Sequence, residues 1–182
     1  MEILEESLVR ALNRVNFIFQ NENIVTECVK NFGSLSILGE SFGPFEKGKK
    51  YKIKLFSALP FIEKDILKIS NAEKCDSVDV QRYAIEERDD PKLTRRNDHY
   101  LLNKIKNFRR FMVDEIRKNV RPNIDLDRYN SYNSNIIDSR LLKLLKLSMT
   151  ELTLEDERRL TNSEKLLYNY LYNLVKIWRE FY

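Results

Sequence analysis

Apolar residues near the start of the chain fall at Ile3, Leu4, Leu8, Val9, Leu12, Val15 and Phe19. That spacing predicts an amphipathic helix over the first part of 2–19. Residues 13–19, Asn-Arg-Val-Asn-Phe-Ile-Phe, also fit a strand. From residue 23 the period shortens. Asn23 to Val29 is rich in β-branched residues, Ser34 to Leu38 alternates, and Tyr51 to Phe56 alternates apolar with basic. These read as strands. Between them, Gly43-Pro44-Phe45-Glu46-Lys47-Gly48 is turn chemistry. Phe56 to Lys64 reads as a short helix, and Ile66 to Ile69 as a closing strand. Residues 23–85 thus form a small β-rich domain behind an N-terminal helical segment, 1–22.

Residues 86–97 are highly charged and contain Pro91, the composition of a linker. Helical period then returns. Leu101, Leu102, Ile105, Phe108, Met112, Ile116 and Val120 predict a helix over 98–120 with Asp98 as its N-cap. Residues 122–135, rich in Asn, Asp and Tyr, read as a loop. A second helix is expected over 138–149. Thr161-Asn162-Ser163-Glu164 is a capping box that opens a third. Residues 98–182 are therefore expected to form an all-α domain, and the fold class to be α+β.

Composition narrows the chemistry. The 182 residues are 42% apolar, enough for a core, and carry a net charge of +4. One histidine, His99, and two cysteines, Cys28 and Cys75, are too few for a Cys/His zinc site or a disulfide framework. The glycines at 33, 39, 43 and 48 make no phosphate-cradling motif. Asp125-Leu126-Asp127 is a lone Asp-x-Asp in the expected loop. No catalytic constellation assembles, so no enzyme and no cofactor are expected. No apolar run is long enough to span a membrane. The acidic start is unlike a signal peptide, which points to the cytoplasm and reduced thiols.

Two surfaces remain. Lys47, Lys49, Lys50, Lys52 and Lys54 cluster on the turn and strand after Gly43-Pro44. Lys50, Lys52 and Lys54 share one strand face. They are candidate phosphate contacts, and support an alternative reading as a nucleic-acid-binding regulator with a basic β-wing. The plainer account is a solvated face or an edge strand guarded by lysine, which leaves weak or no direct DNA binding. On the last helix, Leu167, Leu171, Leu174 and Trp178 form a stripe with Tyr168 and Tyr172 beside it. Tyr and Trp favour interface cores. These six are the candidate subunit interface.

The stretch Ser34 to Leu55, with its strand, Gly43-Pro44 turn, Gly48 and second strand, resembles the small β-rich domain of GINS subunits. Arg140-Leu141-Leu142-Lys143-Leu144-Leu145-Lys146-Leu147, followed by Leu152-Thr153 and Thr161 to Tyr168, looks like the helical domain of that family. Having the small domain first resembles the archaeal subunit type related to the eukaryotic second and third subunits. The resemblance implies a non-enzymatic DNA-replication scaffold. Its expected partners are a second GINS subunit type in a hetero-tetramer, the MCM helicase and a RecJ-like replication protein, with a nucleoid-associated location.

Overall fold

A computed structural model of the chain describes residues 2–37, 39–96 and 98–182. Helices dominate, with a small sheet near the N-terminus, an α+β composition. The chain divides into two compact units, Asn16–Lys74 and Met1–Val15 with Cys75–Tyr182. The first helix, α1 (Glu2–Gln20), crosses the division. It is a helix throughout 13–19, where the sequence also allowed a strand.

The β-rich unit holds β1 (Asn23–Cys28), β2 (Leu35–Ile37), β3 (Glu40–Phe42), β4 (Lys50–Lys54), α2 (Leu55–Glu63) and β5 (Leu67–Ile69). β1 lies between β4 and β5, antiparallel to both, and β2 pairs with β3 in a separate hairpin. The period of two sorts the residues of β1 and β4. Thr26 and Cys28 are buried, Tyr51 and Ile53 half-buried, and Lys50, Lys52 and Lys54 exposed. The core collects Cys28, Phe45, Phe61, Ile66 and Leu67. Phe45 meets Phe61 and Tyr51 edge-on, with centroids 5.1 and 5.0 Å apart. Gly43 has φ +93°, and a Cβ there would lie 3.0 Å from the Gly33 carbonyl oxygen. Only glycine takes this conformation without strain, and only glycine leaves room for that approach.

The helical unit departs from the sequence expectation in three places. Residues 75–85 belong to it, not to the β-rich unit. Ser77–Asp89 is a helix, α3, opened by a capping box of Asp76 and Asp79. Of the expected linker 86–97, residues 86–89 are the last turn of α3 and 90–96 a packed strap, and Asn97 lies outside the described residues. Glu87 and Leu93 are buried, and Arg96 lies over the Tyr83 ring at 4.5 Å. Glu87 is enclosed by its partners and Glu86 pairs with Arg96 at 2.5 Å, while Arg88, Asp89, Lys92 and Arg95 stay exposed as a linker's charges would. The expected loop 122–135 is the first half of α5 (Asn123–Leu147). Asn, Asp and Tyr are weak helix formers, but tertiary packing overrides propensity. Tyr129 and Ile136 are fully buried, and the Tyr129 hydroxyl donates to the carbonyl of Ile105 at 3.0 Å.

α4 (Leu101–Arg117) starts later than expected. Asp98 accepts from the Tyr100 amide at 2.8 Å, ahead of the helix. Leu101, Ile105, Phe108 and Met112 of α4 join Val80, Ala84, Tyr129 and Ile136 in one core. A short helix, α6 (Leu154–Glu157), precedes α7 (Asn162–Phe181), which opens with the expected Thr161–Glu164 box. A second cluster, Leu93, Leu144, Leu160 and Tyr168, seats the first half of α7.

Candidate subunit interface

One helix, α7, carries both buried ionic contacts and a run of exposed apolar residues. Its first half is fixed by ionic contacts around Arg140 of α5. The line Ile136, Arg140, Leu144 steps by four, and all three are buried. Arg140 spends all five donors. Nε and Nη2 grip the Glu164 carboxylate at 2.6 and 2.8 Å, and Nη1 reaches Glu87 at 2.6 Å. The other two bonds go to the carbonyls of Thr94 and Arg159, at 3.2 and 2.9 Å. Lys143 donates to Glu87 at 2.6 Å, and the Thr94 hydroxyl also donates to Glu87. The Glu164 carboxylate accepts in turn from the Thr161 amide at 2.8 Å.

These charges balance, two carboxylates against two cations, as burial requires. Burial alone would raise the pKa of Glu87. The Arg140 charge and the bonds from Lys143, Thr94 and Arg140 outweigh it and hold the carboxyl below its ordinary range. For Arg140, burial opposes the charged form, and Glu164 and Glu87 overcome it. Four pieces of chain meet here: α3, the strap after it, α5 and the start of α7. The sequence reading passed over this group because Glu87 looked like a solvated linker charge. The signal was an arginine in the i, i+4, i+8 line of buried apolar residues.

Leu167, Leu171 and Tyr172 pack beside Tyr168 on the second core cluster. Tyr168 is buried, donates its hydroxyl to the Thr150 carbonyl at 2.7 Å, and stacks on Tyr172 at 5.7 Å. The expectation that Tyr168 faces a partner is corrected: it lies in the chain's own core, while Tyr172 beside it is half-buried. The physical reason is the segment after α5, which folds back and supplies Thr150 and Leu160 as cover. Leu174 and Trp178 remain open, with exposures of 49% and 65%. Ile177, Phe181 and Tyr182 are more exposed still or as much. Leu167, Leu171, Leu174, Trp178 and Phe181 repeat by four and three along α7. Four-three spacing of this kind is what a helix needs to pack lengthwise on another. The chain's own core covers the first two of these residues only. α5 shows a parallel case, with Ile137, Leu141 and Leu145 exposed at i, i+4, i+8.

The other candidates carry less. Cys28 and Cys75 are buried, and burial raises the Cys75 thiol to about 12, far from a reactive thiolate. His99 is exposed, and its carbonyl accepts from the Asn162 amide at 2.9 Å. Asp125 bonds Arg121 at 3.4 Å on α5. Among the described residues no cluster of His, Cys, Asp and Glu is placed to hold a metal. A cleft of about 240 Å³ between α3 and α5 is lined by Ala84, Ile85, Arg88, Tyr132, Asn135 and Ser139. It offers one cation and no nucleophile paired with a base. Of the lysines, Lys49 pairs with Glu46 at 2.7 Å. Lys47 is exposed, as are Lys50, Lys52 and Lys54 on β4. No described helix is long and apolar enough to cross a membrane. Comparison with protein-family models finds no match, and comparison with curated proteins finds none either.

Proposed function

We propose that this chain is a non-catalytic scaffold subunit of a GINS-type DNA-replication complex. In this reading the helical unit docks a second GINS subunit type, and the resulting hetero-tetramer holds the MCM helicase and a RecJ-like partner at the fork. The observation that carries the assembly role is the uncovered half of the α7 stripe, Leu174, Trp178 and Phe181. An exposed aromatic run at four-three spacing is costly in water and fits a helix-docking surface. The β-rich unit supports the reading as well. It precedes most of the helical unit in the chain, and its Gly43 turn has the left-handed conformation and close backbone approach that fix a glycine there.

The test is affinity purification of the tagged full chain from its native cell, followed by mass spectrometry. Recovery of an MCM protein and a second GINS-like subunit is the expected result. Leu174→Glu with Trp178→Glu should lose the second subunit while circular dichroism stays unchanged, because both side chains are exposed. Each central interface anchor is worth about 2 kcal/mol or more. Recovery of a monomer with neither partner refutes the proposal.

A further inference from the structure

The outer side of β4 has two unmet demands on one line, and together they define a ligand. The first is charge. Lys50, Lys52 and Lys54 project from one face of β4, about 7 Å apart, two strand rises. Their cross-strand neighbours on β1 are Glu27, Val25 and Asn23. Glu27 is already paired with Lys68 of β5 at 3.2 Å. Among the described residues no carboxylate pairs with any of the three ammonium groups.

The second demand is backbone. β4 is an edge strand, bonded to β1 alone. Antiparallel pairing alternates between residues that exchange bonds with the neighbour and residues that turn theirs away. Bonds at the two ends fix the phase here. The Cys28 amide donates to the Lys49 carbonyl, and the Leu55 amide to the Glu22 carbonyl. Tyr51 and Ile53 therefore face β1, and Lys50 and Lys52 hold their amides and carbonyls along the open edge.

We infer that the β4 edge binds an extended acidic peptide strand, with carboxylates at alternate positions opposite Lys50, Lys52 and Lys54. Such a strand meets both demands at once. Its backbone completes the ladder, and its alternate side chains pair with the lysines. Its intervening apolar residues extend the inner face beside Tyr51 and Ile53. A nucleic-acid strand would meet the charge and leave the amides and carbonyls of the edge without partners. Lysines serving only to block edge pairing would bind neither. The inference does not depend on the scaffold role and stands or falls separately.

The experiment is fluorescence anisotropy with the full chain at moderate salt. The probe is an acetylated, labelled peptide Glu-Val-Glu-Val-Glu-Val. The comparisons are its block isomer Val-Val-Val-Glu-Glu-Glu, a version N-methylated at alternate amides, and an oligothymidylate. The alternating peptide should bind about tenfold or more tightly than each comparison, since only it offers both a backbone edge and the charge register. Lys50→Glu with Lys52→Glu should abolish binding while circular dichroism is unchanged. The amide resonances of Lys50 and Lys52 should shift on titration. Equal binding of the block isomer or the oligothymidylate would overturn the inference in favour of a plain polyanion site. Absence of saturable binding would overturn it in favour of a guarded edge.

Discussion

Arg140→Met is the most demanding test of the helical unit. The substitution keeps much of the length and apolar volume of the side chain and removes all five donated bonds. Glu87 and Glu164 are then left buried, with side-chain exposures of 1% and 6%. Glu87 retains Lys143 and Thr94, and Glu164 retains Thr161, so neither is wholly orphaned. Removing one partner of a buried ion pair costs about 3–5 kcal/mol. Since a domain is stable by roughly 5–15 kcal/mol, this is a large fraction of the total. The assay is urea denaturation followed by far-ultraviolet circular dichroism, which reports mainly on the helices. Arg140→Met with Glu87→Gln should cost less than the sum of the single variants by about 1 kcal/mol or more, because the second change removes the charge that the first left unmatched. A loss below about 1 kcal/mol for Arg140→Met would refute the reasoning, since a buried carboxylate pair cannot lose its guanidinium so cheaply.

The same contacts set an acid limit. The Glu87 carboxyl titrates below its ordinary value of 4.5 in the folded chain. Its stabilising contribution is therefore complete above the unfolded value and declines as pH falls from there through the lower folded value. Acid unfolding monitored by circular dichroism should show a shallower loss for Glu87→Gln than for the parent chain, from a lower starting stability. Gly43→Val should destabilise the β-rich unit by about 1 kcal/mol or more, through the positive φ and the Gly33 carbonyl; the check is loss of the upfield-shifted ring contacts of Phe45 in NMR spectra while the helical resonances persist. Tyr168→Phe should cost about 1 kcal/mol for the lost bond to the Thr150 carbonyl, read by thermal denaturation. Leu93→Ala should cost about 2–5 kcal/mol and open residues 86–96 to trypsin, which in the parent chain should cut there slowly because Glu87 and Leu93 are buried.

The β-rich unit was legible because its signals are local. The period of two in Tyr51 to Leu55, the Gly43-Pro44 turn and the β-branched run at 23–29 each specify conformation within a few residues. β1, β2, β4, α2 and β5 lie close to where they were expected. α3 and the first half of α5 were not legible for the opposite reason. Residues 77–89 bury only Val80, Ala84 and Glu87 on α3, too few apolar positions to show a helical period. Residues 123–135 are anchored by Tyr129, with Leu126 and Tyr132 beside it, and the partners of Tyr129, Cys75 and Ile105, are distant in sequence. The capping box at Asp76 and Asp79 was readable in principle, as an aspartate pair at N-cap spacing before a mixed run.

The candidate site divides along the same line. Apolar spacing identifies which face of α7 must be covered; it does not identify what covers it. Tyr168 and Trp178 belong to adjoining parts of one broad stripe and have opposite surroundings. Tyr168 is answered by Thr150 and Leu160, from the segment that returns between α5 and α7. Trp178 lies two to three turns further on, where Arg179 bonds the Met149 carbonyl at 2.9 Å but the indole itself stays 65% exposed. The boundary between covered and exposed residues on α7 thus follows the cover that the 148–160 return supplies. It follows that a charge at Tyr168 must be resisted by folding and a charge at Trp178 by assembly alone. Tyr168→Glu should lower the midpoint of urea unfolding whether or not a partner is present. Trp178→Glu should leave that midpoint unchanged in the isolated chain and lower it only in the complex. An equal loss for both variants in the isolated chain would place Trp178 in the chain's own core and remove the helix-docking surface.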